Sequence, residues 1–462
     1  MSAPFDAWAL APGAVDAPPT RAEGGLRWPL LDHSAARALV ASLRAARAGG
    51  LLSHDAAARA RLLGRAGARF LDPRDPLRRE AEARVPDSAG LSAPMARAVI
   101  EGMARDWTAP RLLDLLAAEL PAGALDRFVP GTRGTRVRAF APELALHVGA
   151  GTVPGVTATS MLRSLLVGSA TLVKPGRGDA VLPVLLARAI ADEAPDLARA
   201  VAVVYWGGGA DAAVEEVALA AADQVVVYGG DATVRAVRER LPVTTPVIAY
   251  HHRISAAVVG RGALEKAGVE KVADALARAV ALFDQRGCVS PHVVLVEEGG
   301  EMSPAELARA LAGALARLDE TLPPGPVDSA QASAVHQLRR TAELRAAAGE
   351  ALELHVGTGG AWTVLLDPSA EVEASCLGRT VRVHPVADER ATIARLAGWR
   401  QHLQTVGIAG MGDRLEALAA ALGEVGARRV CPLESIPFPP PWWHHDGQGP
   451  LAVLVRWMDV EE

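Results

Sequence analysis

Cys288, Cys376 and Cys431 are the three cysteines of this 462-residue chain. Cys288 lies in FDQRGCVSPHVVLVE, between a helical pattern at Val272–Leu282 and a Val-rich strand pattern. A thiol on such a junction loop can face a cleft, and the neighbouring Arg286 would favour its thiolate, the form that attacks a carbonyl carbon. Cysteine is also among the residue types most often buried, so packing is the alternative. Cys376 and Cys431 have less polar, less Gly-rich surroundings and read as packing residues.

Only three of the 48 Lys and Arg residues are Lys (Lys174, Lys266 and Lys271), leaving 45 Arg. Lys174 closes the strand pattern TLVK just before Pro175 and a Gly-flanked turn. A compact ammonium there can donate to ribose hydroxyls or to a phosphate; a solvated strand-end Lys is the alternative. Gly149, Ala150 and Gly151 (HVGAG), Gly208 (WGGG), and Gly229 with Gly230 (YGGD) follow other strand patterns. Such glycines permit close backbone approach to a pyrophosphate or adenosine, although plain turns share the composition. No GxGxxG fingerprint opens a helix. His251, His252, His292, His355 and His384 have no ligand-like spacing with acidic or sulfur partners, so no metal site is expected.

These residues need elements to hold them. Val-rich runs at Leu144–Val148, Ala170–Val173, Val201–Tyr205, Gln224–Tyr228 and Ala256–Val259 alternate with helical stretches, the pattern of a doubly wound parallel sheet. The fold class expected is α/β, with a Rossmann-type cofactor domain and a second α/β catalytic domain. Residues 1–125 read as a helical N-terminal part of the cofactor domain. Residues 126–142 carry an arm strand (Thr132–Phe140), and 143–283 form the dinucleotide-binding domain. The catalytic domain covers 284–435, with strands at Val293–Val296, Trp362–Leu366 and Arg379–Pro385 and a helix-like stretch at Glu389–Leu403. Residues 436–462 form a Pro/aromatic loop and a terminal strand at Leu451–Trp457.

The formal net charge of -5 argues against a nucleic-acid binder driven by phosphate attraction. Three scattered cysteines cannot build a disulfide framework, which fits a reduced, cytoplasmic setting. The N-terminus has no basic stretch ahead of an apolar one, so no signal peptide is expected, and no long uncharged apolar run suggests a transmembrane helix.

The order HVGAGTVPG, LLVGSATLVKPGRGD, VVYGGDATV, FDQRGCVSP resembles the aldehyde dehydrogenase superfamily. Within it, DQRGCVSPH around Cys288 and the ending WWHHDGQGPLAVLVRW resemble the long-chain acyl-CoA reductase family, which includes the fatty-acid reductase component of bacterial bioluminescence. The likeness covers residues 100–462 or so.

The resemblance implies that Cys288 attacks an acyl-CoA or acyl-carrier thioester, that hydride from a reduced nicotinamide follows, and that an aldehyde leaves. The oxyanion would be held by the Cys288 backbone N–H and a donor from the GTVP turn, where Thr152 replaces the Asn of aldehyde-oxidising relatives. Ala249 stands where hydrolytic relatives carry a Glu that activates water, which favours reduction over oxidation. Arg177 replaces a Glu near the ribose 2′-hydroxyl, so NADPH is the cofactor expected. In the loop resembling the family's HDG ending, His445 could protonate the leaving thiolate or forming alkoxide. The alternative is a loop lock, with Asp446 capping a turn and the His packed on Trp443. Relatives with the arm strands are dimers or tetramers, so a homo-oligomer is implied. Rival readings are an acyltransferase or thioesterase that stops at the acyl-enzyme, and a non-reducing partner subunit that only binds acyl groups or nucleotide.

Overall fold

A computed structural model describes residues 3–461 apart from 12, 16, 17, 208–211 and 370. The chain divides into two compact units. One comprises Met1–Ala89, Arg97–His251 and Pro440–Glu462; the other comprises Gly90–Ala96 and His252–Pro439.

The first unit holds a six-stranded sheet in the order Val247–Tyr250, Gln224–Tyr228, Leu144–Val148, Ala170–Lys174, Val201–Val204, Trp8–Ala9. The first five strands are parallel, and Trp8–Ala9 joins antiparallel to Val203 and Val204. Their Val, Leu and Ala side chains are buried on both faces, which explains the continuous apolar runs. The chain builds outward from Leu144–Val148 to Val201–Val204, then restarts on the other side with Gln224–Tyr228. Ligands of open α/β sheets bind beyond the carboxyl ends of strands at such a reversal.

The first 125 residues are not the purely helical layer expected. Helices at His33–Gly49, Ala56–Ala68, Pro76–Ala89, Ala93–Ala104 and Ala109–Glu119 follow a hairpin of Thr20–Glu23 and Leu26–Pro29, with Phe5–Asp6 alongside. Gly24 and Gly25 are both left-handed, with φ of 54° and 82°. Two such residues make the tight turn that twisted hairpins favour, so the Gly-Gly pair was the available signal.

A three-stranded antiparallel sheet places Arg136–Phe140 between Val129–Pro130 and Arg456–Val460. The arm segment therefore pairs with the terminal strand, but both bounds move. Thr132–Gly134 is a turn with Arg133 at φ 55°. Leu451–Trp457 is not a strand throughout: Ala452–Leu454 forms a 3-10 turn that buries Leu451 and Leu454. The Glu119 carboxylate accepts the Leu451 and Ala452 N–H groups at 3.3 and 3.2 Å, taking them out of any ladder. The strand forms instead on Arg456–Val460.

The second unit holds a seven-stranded sheet in the order Glu353–Val356, Thr363–Leu366, Thr380–Val386, Pro291–Glu297, Ile254–Val259, Leu403–Ala409, Arg429–Pro432. All pairs are parallel except Glu353–Val356 with Thr363–Leu366. Ile254–Val259 thus belongs to this sheet and not to the dinucleotide sheet, and the units part at His251 rather than at 283. The helix expected over Glu389–Leu403 ends at Leu396, and Leu403 opens a core strand. Leu396, Trp399, Leu403, Val406 and Ile408 pack in one apolar cluster with Ile254, Ala256, Val258, Val293 and Leu295. That shared burial gave both segments the same apolar texture in sequence.

Candidate active site

Cys288 lies in the second unit, half-buried, on the turn between helix Val269–Ala281 and strand Pro291–Glu297. Ser290 N–H donates to Gly287 carbonyl at 2.9 Å, closing the turn around the thiol. The fully buried Ser255 hydroxyl donates to the Cys288 carbonyl at 2.7 Å and accepts Thr405 N–H at 3.1 Å. Ser255 stands at an irregularity in the pairing of Ile254–Val259 with both its neighbours. The bulge turns a hydroxyl that would have joined the sheet interior toward the turn.

The approach to this turn is strained. Phe283, Asp284 and Gln285 are consecutive non-glycine residues in the left-handed region, at φ 58°, 49° and 64°. Each costs roughly 1–2 kcal/mol, so the surrounding contacts must impose the shape. The Arg379 guanidinium, 1% exposed, donates to Asp284 Oδ1 at 3.0 and 2.8 Å, and Asp284 Oδ2 accepts Gly325 N–H at 3.0 Å. The buried Gln285 amide donates to the carbonyls of Pro291 (2.9 Å) and Thr380 (2.7 Å), and its oxygen accepts Thr380 N–H at 2.9 Å. Asp284 and Gln285 sit in the DQRGC motif with no sequence cue to this work, and Arg379 is one of 45 Arg. The left-handed triplet leaves no sequence signal of its own, since none of the three is Gly or Asn.

The Arg286 guanidinium donates to the carbonyls of Phe283 (3.2 Å) and Gly90 (3.1 Å). The Arg429 guanidinium lies within electrostatic reach of Cys288 and of Cys431. Arg429 is held by the carbonyls of Ile436 and Ser435 at 3.2 and 2.7 Å. Burial pushes the Cys431 thiol up to about 11, as suits a packing residue. Cys376 is half-buried beside Arg339.

In the first unit, the glycines expected to cradle a dinucleotide do two different things. A side chain on Gly176 would meet Gly151 N at 2.3 Å, and one on Gly178 would meet Gly151 oxygen at 2.1 Å. One on Gly149 would meet the Thr157 hydroxyl at 2.2 Å. Gly151, Gly176 and Gly178 therefore let two loops pack backbone to backbone, while Gly149 makes room for the Thr157 side chain. The helix that follows, Val156–Val167, has its N-terminus filled by the buried Asp179 carboxylate, which accepts Gly155 and Thr157 N–H at 2.7 and 2.9 Å. Burial outweighs these bonds and pushes the Asp179 carboxyl up to about 7. An anion's place at this helix is already taken, a role that GRGD did not announce.

Gly229 and Gly230 differ. Gly230 caps helix Asp231–Arg238 with no side chain bonded there, and nothing lies within 4 Å of where its side chain would be. This end lies beyond Gln224–Tyr228 and carries Asp231 in its first turn. The Lys174 ammonium lies 5.8 Å from the Tyr205 ring centre, and burial lowers its pKa while Glu215 opposes the shift. Arg177 donates to Glu23 carbonyl at 3.3 Å. Ala150 is half-buried and Thr152 exposed, while Gly208 lies outside the described residues.

His445 is stacked between Tyr250 (4.4 Å, 17°) and Trp443 (4.7 Å, 22°), and Tyr250 stacks on Tyr228 at 4.5 Å. Its Nε2 stands 3.7 Å from Asp446, itself left-handed at φ 55°. The ring packs on Trp443, as the loop-lock alternative expects, and on a strand-end tyrosine as well. Ala249 is buried within Val247–Tyr250 and brings no carboxylate to that strand end. Among the described residues, no three His, Cys, Asp or Glu side chains gather as metal ligands, and no helix is long and apolar enough to cross a membrane.

The two sheets and the thiol turn define an aldehyde-dehydrogenase-like fold. Aldehyde dehydrogenase 21 of Physcomitrella patens has a TM-score of 0.75 at 13% identity, covering 100% of this chain and 98% of that one. A putative methylmalonate-semialdehyde dehydrogenase of Sinorhizobium meliloti 1021, complexed with NAD, gives 0.74 at 14%, with the same coverage.

Within that fold the chain belongs to the acyl-CoA reductase (LuxC) family, whose model matches residues 60–457. Long-chain acyl-protein thioester reductase 2 of Photobacterium leiognathi is 24% identical over 329 residues, which are 70% of this chain and 65% of that protein. The long-chain acyl-protein thioester reductase of Aliivibrio fischeri is 25% identical over 340 residues, 73% of this chain and 67% of the relative. The chain thus spans about two thirds of the length of these relatives.

Proposed function

We propose that this protein reduces a long-chain fatty acyl thioester, acyl-CoA or acyl-carrier, to an aldehyde with NADPH. The observation that carries the reading is the Cys288 turn: a half-buried thiol on a loop fixed by Ser255, Asp284 and Gln285, with the Arg429 charge in reach. In a chain of the acyl-CoA reductase family, that is the equipment of a nucleophile rather than of a packing cysteine.

Cys288 Sγ attacks the thioester carbonyl, the carbon–sulfur bond to the carrier breaks, and the carrier thiol takes a proton as it leaves. The Cys288 backbone N–H is the oxyanion donor, and the exposed Thr152 hydroxyl a second candidate donor. Ala249 in place of a carboxylate leaves no general base on that strand, which slows hydrolysis of the acyl-enzyme. A reduced nicotinamide, when bound, supplies the hydride. Gly229 and Gly230 with helix Asp231–Arg238 would hold its phosphates, Lys174 a ribose, and Arg177 the 2′-phosphate that distinguishes NADPH. An oxygen lone pair of the thiohemiacetal re-forms the C=O bond, the carbon–Sγ bond breaks with its electron pair on Cys288, and the aldehyde is freed. His445 is the proton donor proposed for the leaving carrier thiolate or the forming alkoxide, with its ring held by the Tyr250–Trp443 stack. A cytoplasmic homo-oligomer joined through the Arg136–Phe140 arm completes the reading.

The test is NADPH oxidation with acyl-CoA substrates of graded chain length, with the aldehyde identified. Aldehyde formation that disappears in Cys288→Ala supports the proposal; thioester cleavage without NADPH oxidation would assign the protein to the acyltransferases or thioesterases instead.

A further inference from the structure

A cavity of about 530 Å³ lies within the second unit, beside the loop that leads to Cys288. Asp284 and Arg286 form one wall, helix Ser329–Ala347 presents Arg339 and His336 on another, and Gly359, Gly360 and Arg379 close a third. Its size suits part of a ligand rather than a whole nucleotide-linked thioester.

The charges in this cavity do not balance locally. Arg379 is committed to Asp284 at 2.8 Å. The other lining carboxylate, Asp328, accepts Gln331 N–H at 2.8 Å and caps its helix. Arg339 meets only neutral acceptors: Thr363 hydroxyl at 2.9 Å through Nε, and the carbonyls of Gly360 (2.9 Å) and Trp362 (3.3 Å) through Nη2. Its Nη1 has no hydrogen-bond partner among the described residues. Gly360, at φ 81°, keeps this nitrogen uncovered, since a side chain there would stand 2.8 Å from Nη1. A half-buried guanidinium with neutral partners and a free N–H is an anion anchor, and its fork geometry suits phosphate.

We propose that this cavity binds the phosphate end of the carrier to which the acyl group is attached, with Arg339 as the anchor. The inference rests on the thioester reading of Cys288. Acyl thioesters of coenzyme A and of carrier proteins share a phosphopantetheine arm, with the thioester at one end and phosphate at the other. Asp284 and Arg286 line the cavity and precede Cys288 by four and two residues, so an occupied cavity bears directly on the loop that carries the thiol.

The test is equilibrium binding to the full chain carrying Cys288→Ser, with NADPH saturating so that the dinucleotide site is filled. Coenzyme A, 4′-phosphopantetheine and pantetheine are the probes. The expected order has pantetheine on the order of tenfold weaker than a phosphorylated probe. Arg339→Met should remove that preference, and Arg339→Lys should restore part of it in a variant that keeps the charge. Equal binding of 4′-phosphopantetheine and coenzyme A supports the cavity with either carrier; binding of coenzyme A alone supports it with coenzyme A as the carrier. Equal affinity for all three probes, or an unchanged preference in a folded Arg339→Met, overturns the proposal. Because no turnover is involved, a phosphate preference that depends on Arg339 would stand even if Cys288 proved never to be acylated.

Discussion

Ser255 and Cys288, 33 residues apart in sequence, are joined by a 2.7 Å hydrogen bond from the Ser255 hydroxyl to the Cys288 carbonyl. The same hydroxyl accepts Thr405 N–H, so the Cys288 turn is tied to the centre of the sheet. Ser255→Ala leaves a buried carbonyl and a buried N–H without this partner, at a cost of about 1–3 kcal/mol. Denaturant unfolding should show that loss. Acylation of Cys288 should slow in the variant while NADPH affinity is retained; an acylation rate equal to wild type would detach Ser255 from the site.

Arg429 places a positive charge in reach of Cys288, while Arg286 donates to the carbonyls of Phe283 and Gly90. A nearby cation favours the thiolate, so Arg429→Met should move the pH midpoint of Cys288 alkylation upward. The rate at neutral pH should fall on the order of tenfold. Arg286→Met should leave the midpoint in place. The reverse ranking of the two variants would contradict the assignment.

Among the described residues, the Arg177 guanidinium donates to the Glu23 carbonyl at 3.3 Å and has no carboxylate within salt-bridge distance, which supports the proposal that its charge meets a 2′-phosphate. Arg177→Glu should lower the NADPH/NADH ratio of kcat/KM by at least about tenfold, by exchanging attraction for repulsion. A ratio that does not change would sink the cofactor assignment.

Glu297, fully buried at the end of a central strand of the second unit, accepts two bonds from Arg414 at 2.8 Å and one from Arg261 N–H at 3.0 Å. The Arg414 hydrogen bonds, offset in part by burial, hold its carboxyl down at about 2. A carboxyl depressed on folding contributes stability that is present above its unfolded pKa and is lost as pH falls through the folded value. Unfolding free energy should therefore drop between about pH 4.5 and 2, by roughly 3 kcal/mol from this group. Glu297→Gln should flatten that part of the curve while lowering stability at neutral pH; a wild-type slope in the variant would show the acid sensitivity to lie elsewhere.

The parallel strands were legible because burial on both faces leaves continuous Val-rich runs, as in Val201–Val204 and Gln224–Tyr228. Cys288 was legible because its neighbours DQRG and VSPH form a motif. The residues that hold it were not. Ser255 and Arg429 lie on strands of the parallel sheet and Arg379 just before another, an order of strands that sequence spacing does not encode. Leu403–Ala409 was hidden because it packs in the same apolar cluster as the helix before it. The Gly149–Gly151 turn reads as a phosphate cradle or as loop packing, because glycine serves both equally well. Asp179 fills the N-terminus of the helix that follows, and its link to Gly155 and Thr157 exists only in the folded chain.

The central claim is that Cys288 carries the acyl group between thioester and aldehyde. Its most direct measurement is mass spectrometry of the protein after incubation with a long-chain acyl-CoA, first without and then with NADPH. The account predicts one acyl group per chain, on the peptide containing Cys288, which is discharged as aldehyde when NADPH is added and is absent from Cys288→Ala. An acyl group found on Cys376 or Cys431, or aldehyde still formed by Cys288→Ala, would contradict it.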